Sequence, residues 1–319
     1  MVGLAGSGSV VGLDVGGTLL KAVAVGPEGG VTARVRQPTA AGDGAGALME
    51  RVVALLVGMR DELLARGEVL RAVGLAVPGV IDEEAGVVRF AANLGWRDVE
   101  VTSFVARRLG VPVYLGHDVR SGALAEGVLG AARGVDDFLF LPIGTGIAAA
   151  LVLGGQVRAG PRGSAGELGH LVVEPGGPPC RCGARGCLET LASASALARR
   201  YQEQVPGSTL EAPAVAVLAA QRDTVALAVW SSAVGSLGQV LAGVQSLVDL
   251  DLVVVGGGLA NAERLLADLE GAIAARLPWQ VAPRLTTAAL GDEAGSLGAA
   301  LLARAGGGAV RLGSAAALS

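Results

Sequence analysis

Three times along the chain a short apolar, largely β-branched run ends on a cluster of glycines, and this recurrence restricts the fold more than any other feature. Val10–Asp14 leads into Gly16-Gly17-Thr18, Phe138–Pro142 into Gly144-Thr145-Gly146, and Leu252–Val255 into Gly256-Gly257-Gly258. Such runs bounded by glycine read as strands. Between them lie segments with helical spacing: Ala45–Arg66 repeats Leu48, Val52, Leu55, Leu56, Met59 and Leu63 on one face. Strands followed by helices, in both halves of 319 residues, predict an α/β chain of two domains.

The rest of the chain keeps this rhythm. Leu19–Val25 and Val31–Gln37 extend the first strand into a hairpin meander, and Ala72–Val77 is a strand stopped by Pro78-Gly79. Thr102–Leu109 reads as a helix, Val111–Leu115 as a strand and Val119–Leu129 as a helix. In the second half Ile147–Leu153 is a strand, and Ala192–Gln204 and Ala212–Gln221 are helices. Thr224–Val248 reads as one long buried helix, with Gly235, Gly238 and Gly243 leaving open whether it is broken. Helix Ala262–Leu277, strand Ala282–Ala288 and helix Glu293–Arg304 follow, and the Gly/Ala/Ser-rich stretch from Gly306 to Ser319 is expected to be a disordered tail.

Composition removes several function classes. Hydrophobic residues make up 51% of the chain and the mean hydropathy is +0.55. Even so, no stretch reaches the ~18 uninterrupted apolar residues of a spanning helix, and no charged segment with an apolar run opens the chain, so a cytoplasmic protein with no membrane partner is expected. A net charge of −4 without a basic block gives no footprint for nucleic acid. Three cysteines, an odd number, do not make a disulfide framework.

The chemistry-bearing residues fall into four groups. In Asp14-Val15-Gly16-Gly17-Thr18 the glycines let backbone amides approach an anion, while the hydroxyl and the carboxylate suit a phosphate and its magnesium; a plain hairpin turn reads the same way. Lys21 is the only lysine among 25 basic residues, which suggests a place where a compact ammonium is needed. Gly144-Thr145-Gly146 is a second hydroxyl-bearing turn, and Gly256-Gly257 a close backbone approach suited to a base and ribose, although either is also an ordinary structural turn. The most specific pattern is the third: Cys180, Cys182 and Cys187 in CxCGxxGC, with His170 upstream, supply three thiolates and an imidazole, a full tetrahedral set for structural zinc. Glu167 and Glu189 flank it and could accept hydrogen bonds from the hydroxyls of a polyol, or be solvated loop acids. Fourth, His117-Asp118 stands where a strand gives way to a helix. Asp118 could take the proton of an attacking hydroxyl, or serve as a helix N-cap. Asn93, in Asn93-Leu94-Gly95-Trp96, offers another polar contact beside a tryptophan that more often packs in a core.

Together, Asp14–Thr18, Gly144–Gly146, the run GSAGELGH at 163–170 and CRCGARGCLE at 180–189 closely resemble the ROK family of bacterial sugar kinases and regulators, over residues of about 10 to 305. The resemblance implies an actin-like ATPase fold, two ribonuclease-H-like α/β domains around a central cleft. The small domain would span residues 1–118, joined by the C-terminal helix at about 290–305, and the large domain, with the zinc loop, residues 119–290. Asp14, Gly16, Gly17 and Thr18 would meet the phosphates of ATP-magnesium with Gly144 and Thr145 opposite, and Gly256 and Gly257 would approach the nucleoside. Lys21 would join the phosphate contacts, although it stands three residues after the threonine, whereas many members have lysine directly after it. Asp118 would be the general base; Asn93, Glu167, His170 and Glu189 would hold sugar hydroxyls, and His170 would share the zinc with the three cysteines. Where this chain has His117-Asp118 the family usually has Asn-Asp, which puts an imidazole in place of a sugar-contacting amide. The implied activity is ATP-dependent phosphorylation of a hexose, glucose to glucose 6-phosphate, by a homodimer or dimer of dimers. The alternatives are a kinase for N-acetylmannosamine or another hexose or N-acetylhexosamine, and a sugar-sensing regulator, against which stand the nine residues ahead of the first strand.

Overall fold

The computed structural model describes residues 8–308 and 310–312, which form two compact units. Unit 1 holds the chain up to Asp136, the segment Gly154–Ser164 and everything from Asp292 on; unit 2 holds Asp137–Leu153 and Ala165–Gly291.

Unit 1 opens with β1 (Ser9–Val15), β2 (Leu19–Val25) and β3 (Val31–Pro38), an antiparallel meander, followed by α1 (Ala45–Ala65) and β4 (Leu70–Val77). A small antiparallel sheet comes next, β5 (Val80–Asp82), β6 (Val87–Ala91) and β7 (Trp96–Val99), then α2 (Val101–Leu109), β8 (Val113–His117) and α3 (Asp118–Val128). The main sheet runs β3-β2-β1-β4-β8, with β1, β4 and β8 parallel. Burial follows position. β4, central and parallel, is buried at seven of its eight residues, whereas β3, at the edge, alternates half-buried and exposed side chains. Trp96 and Leu94 are buried in this unit's core, so the tryptophan beside Asn93 is packing and not a sugar platform.

In unit 2, β9 (Phe138–Pro142) and β10 (Ala150–Leu153) pair antiparallel. The connecting strand β11 (Gln156–Arg158) belongs to unit 1. The helices are α4 (Leu188–Ala192), α5 (Ala194–Gln204), α6 (Ala212–Ala220) and α7 (Thr224–Val248), followed by β12 (Leu252–Gly256), α8 (Leu265–Ala274) and β13 (Arg284–Thr287). β9, β12 and β13 are parallel, so this sheet repeats the plan of the first, a hairpin followed by two parallel strands. The helix α9 (Ala294–Arg304) lies in unit 1. Duplicated sheets of this plan are the ribonuclease-H-like halves of the actin-like ATPase fold.

Two helices needed the structure to be understood. α7 is unbroken, because Gly238 lies where a methyl group would stand 2.7 Å from Ala272 Cβ; the glycine permits α8 to approach rather than ending the helix. It is also, among the described residues, the one helix long and apolar enough by length and mean composition to cross a membrane, although Ser231, Ser232, Ser236 and Gln239 interrupt its apolar run. Over half of its most apolar window is buried against neighbouring helices. α9 rests on glycine as well. A Cβ on Gly12 of β1 would fall 2.0 Å from the Ser296 carbonyl oxygen, and one on Gly74 of β4 only 1.8 Å from that of Ala299. From the other side, Gly298 meets the Ser121 carbonyl of α3 in the same manner. The stretch expected as a disordered tail is packed at its beginning: Leu312 is buried and its amide donates to the Gly155 carbonyl at 2.8 Å, because an apolar side chain has found Gly127 of α3 to lie against. Residue 309 and residues 313–319 of that tail lie outside those described.

Candidate active site and metal centre

In unit 1 the turn Gly16-Gly17-Thr18 joins β1 to β2, and it is fixed from behind. The Gly16 amide donates to the Leu19 carbonyl at 3.1 Å, and the buried Thr39 donates its hydroxyl to the Gly16 carbonyl at 2.6 Å and its amide to that of Thr18 at 2.9 Å. Gly17 and Thr18 remain exposed. A methyl group on Gly17 would stand 3.2 Å from Asn93 Nδ2, which places the exposed Asn93 directly over the turn.

Asp14, half-buried at the end of β1, pairs in register with Lys21 of β2, so the two side chains share one face of the sheet. The first turn of α9 closes over it: a Cβ on Gly295 would lie 2.9 Å from the Asp14 carboxyl carbon. Burial, with Asp118 and Asp292 as negative neighbours, raises the Asp14 carboxyl from 3.8 to about 7, while Lys21 opposes the shift. A divalent cation among these acids would offset both the repulsion and the desolvation, so the donor set suits magnesium.

Asp118 is the first residue of α3, and His117 occupies the cap position. The Asp118 side chain therefore does not cap the helix in the usual way; its Oδ1 accepts the Val119 amide at 2.7 Å and stands 3.1 Å from His117 Nδ1. His117 is buried, and with the buried Arg120 and Ser121 and with Gln156 it lines a cavity of about 300 Å³ within unit 1. Arg120 is held there by the Glu83 carboxylate at 2.8 Å and the Gly163 carbonyl at 3.0 Å. Lys21 donates to the Asp292 backbone carbonyl at 3.2 Å.

Unit 2 brings together its two glycine turns. Ile143 donates its amide to the Gly256 carbonyl at 2.9 Å and receives that of Leu259 at 3.1 Å, with Gly257 at φ 76° against the Ile143 backbone. The Gly144 carbonyl accepts the Ala194 amide at 2.9 Å. Glu189 Oε2 accepts the Ile147 amide at 3.0 Å and lies so close to Gly146 that a Cβ there would be 2.4 Å away. One oxygen of Glu189 thus serves the Gly144–Gly146 turn. Beside Gly256-Gly257, a cavity of about 750 Å³ has an apolar wall of Ala216, Val217 and Ala220 from α6 facing Gly258 and Asn261.

His170, Cys180, Cys182 and Cys187 converge, with one ligand atom from each within 4.8 Å of the others. The Cys182 and Cys187 sulfurs are 3.7 Å apart, and Cys180 Sγ is 3.6 Å from His170 Nδ1. Tetrahedral zinc, with Zn–S of ~2.3 Å and Zn–N of ~2.0 Å, spaces sulfur from sulfur by about 3.8 Å and sulfur from nitrogen by about 3.5 Å, so these two pairs already stand at tetrahedral spacing. Its electrostatics agree. Burial and the neighbouring thiols push Cys187 up to about 12, so these sulfurs would not all ionise without a cation. His170 Nε2 faces the Glu167 carboxylate at 3.9 Å, the outer partner that orients a metal-bound imidazole. The loop is also tied to itself, with Val173 and Glu174 donating to the Gly186 carbonyl and Cys180 to that of Ala184.

Every candidate residue therefore has a definite place within its own unit. Sequence reasoning missed Thr39, which braces the phosphate-type turn, and Asp292, which contacts Lys21. An acidic pair just before a helix, as in Gly291-Asp292-Glu293, ordinarily means dipole compensation, so its link to a lysine 271 residues earlier had no local sign.

Comparison with known proteins finds relatives over most of the chain. The model of the ROK family matches residues 10–306. A glucokinase of Thermotoga maritima is 35% identical over 271 residues, 81% of this chain and 84% of its own. The crystal structure of a ROK hexokinase from Thermus thermophilus superposes with a TM-score of 0.82 at 38% identity, covering 93% of this chain and 98% of that one. That of a ROK family glucokinase from Streptomyces griseus, in complex with glucose and AMPPNP, gives 0.79 at 31% identity, covering 93% and 100%. The two ribonuclease-H-like sheets, the Cys3His cluster and the matched length lead to one conclusion: the chain belongs to the ROK family.

Proposed function

We propose that the protein is an ATP-dependent hexose kinase that converts glucose to glucose 6-phosphate. The observation that carries this reading is in unit 1, where an exposed glycine turn is combined with two mutually repelling carboxylates, Asp14 and Asp118. A turn of free amides suits phosphate oxygens, Asp14 would hold the accompanying magnesium, and Asp118 would be the base. Magnesium, when bound, neutralises charge on the phosphoryl oxygens. The chain's own residues do the positioning. Thr39 keeps the turn rigid, Asn93 over Gly17 offers an amide to a sugar hydroxyl, and the fixed Oδ1 of Asp118 leaves Oδ2 to take the hydroxyl proton. In unit 2, Gly144 and Thr145 would meet phosphate oxygens, the cavity beside Gly256-Gly257 suits the adenine and ribose, and Glu167 and His170 are the candidate hydroxyl acceptors, with Glu189 dividing its carboxylate between the turn and a hydroxyl. Zinc held by His170, Cys180, Cys182 and Cys187 is structural, since four protein ligands leave no position for substrate. A cytoplasmic homodimer belongs to the same reading.

The test is an ADP-release assay across glucose, mannose, N-acetylmannosamine and N-acetylglucosamine, with Asp118→Asn as control. Glucose should give the highest kcat/KM, and Asp118→Asn should lose at least about a thousandfold in kcat with hexose binding retained. Preference for an N-acetylhexosamine would reassign the substrate, and a variant with near-normal turnover would remove Asp118 from its role.

A further inference from the structure

The only lysine of the chain shares a sheet face with Asp14 and is bonded by Asp292, an acid that lies outside every sequence motif of the site. Asp14 of β1, Lys21 of β2 and Arg36 of β3 are consecutive cross-strand partners, so their side chains stand in a row on the face that α9 covers. Asp292, two residues ahead of α9, reaches into that row. Its backbone carbonyl accepts from Lys21 Nζ at 3.2 Å, its Oδ2 lies 3.9 Å from the same nitrogen, and its Oδ1 accepts from Arg36 Nη2 at 2.9 Å. Next to it, Glu293 pairs with Arg34 at 2.9 Å. The Lys21 side chain is four-fifths buried, while those of Arg36 and Asp292 are about half exposed. The half-exposed pair adds little stability by itself. What it does is tie the one withdrawn ammonium to the segment leading into α9, on the sheet face that carries Asp14.

We infer that Asp292 is a positioning residue, which by seating Lys21 against Asp14 fixes the carboxylate at the phosphate end of the site, and that Lys21 acts on Asp14 and not on a phosphate. The use of lysine in a chain otherwise committed to arginine fits this role. A guanidinium is planar and spreads its charge over three nitrogens, whereas this seat offers one carbonyl, one distant carboxylate and a cross-strand acid to a single point charge. The inference rests on the kinase reading for its consequence, though not for its geometry.

Two experiments on the full-length protein test it. In steady-state kinetics, Lys21→Met and Asp292→Asn should each lower kcat by about tenfold, the double variant should fall no further than the worse single, and the KM for hexose should not move. A lysine bound to phosphate would behave otherwise: Lys21→Met would raise the KM for ATP, and Asp292→Asn would leave kcat alone. Either result, or full additivity of the two losses, overturns the inference. In the second experiment, reductive methylation with 13C-formaldehyde labels only Lys21 and the α-amine, so the lysine methyl signal is unambiguous. It should shift in Asp292→Asn and again in Asp14→Asn, and stay put when ATP is added without metal. A signal blind to either substitution, or moved by metal-free ATP, refutes the seating. Because this signal is read without turnover, a protein that phosphorylates no hexose would defeat the proposed function while leaving the Lys21 result intact.

Discussion

Replacing Asp14 by Asn should make the protein more resistant to unfolding above neutral pH while abolishing its activity. In the folded state the Asp14 carboxyl is driven from 3.8 to about 7, foremost by burial, then by Asp118 and Asp292, against the pull of Lys21. At ~1.36 kcal/mol for each tenfold change in proton affinity, ionising this group in the folded protein costs at most about 4 kcal/mol. The sign follows from linkage. Between 3.8 and about 7 the folded protein keeps a proton that the unfolded chain has released, so the contribution of Asp14 is most favourable at and below the lower value, shrinks as pH rises, and levels off above the higher one. Asparagine carries no charge and has no such slope. Urea unfolding of the magnesium-free parent and variant at pH 4 and pH 8.5 measures the difference. It should move in the variant's favour between the two, by up to about 4 kcal/mol. Magnesium and ATP should then stabilise the parent more than the variant, since only the parent has a carboxylate for the cation to neutralise. A stability difference that does not change with pH, or that moves in the parent's favour, would show that Asp14 is neither desolvated nor opposed by Asp118 as described.

Two further expectations concern the scaffold. Cys182→Ala should reduce bound zinc from one equivalent to none and lower the melting temperature, both readable by elemental analysis and calorimetry on the same sample; retention of zinc would remove Cys182 from the ligand set. Gly74→Ala places a methyl group 1.8 Å from the Ala299 carbonyl oxygen, a backbone clash that no side-chain rotation relieves. A loss of about 3 kcal/mol or more in chemical denaturation, or failure to fold, is expected, and a variant as stable as the parent would mean that α9 does not rest on β4.

What the sequence revealed and what it hid differ in range. The Cys3His cluster was legible because its four residues fall within one loop, from His170 to Cys187, and thiolates at that spacing have few uses other than holding a metal. The glycine turns were legible as turns, since each ends a run of buried strand residues. The sheet β5-β6-β7 was not. Its strands span only Val80–Asp82, Val87–Ala91 and Trp96–Val99, and they mix exposed and buried positions without the alternation that marks a strand. Ile147–Leu153 was too generous, because the strand begins at Ala150 and the preceding residues bend around the Gly144–Gly146 turn. Helix glycines were ambiguous for a physical reason: Gly238 costs local stability, and only the helix that packs on it shows why it is there. Asp118 left two roles open, and the register of α3, which begins at Asp118 and not after it, decided against the simple cap. The setting of Lys21 was beyond any local reading, since Asp292 reaches it only through the return of α9 to the first sheet.

That return governs the order of events at the ribosome. β1 and β4 have glycines on the face that α9 covers, and this face stays open to water until residues 292–304 have left the exit tunnel, after all of unit 2 has been synthesised. Unit 1, begun before unit 2, is thus completed after it. A nascent chain stalled before Gly291 should carry an unfinished, adhesive surface, and in the folded protein the same segment delivers Asp292 to Lys21 and Gly295 to Asp14, so the acidic site is assembled only once residues 292–295 have emerged.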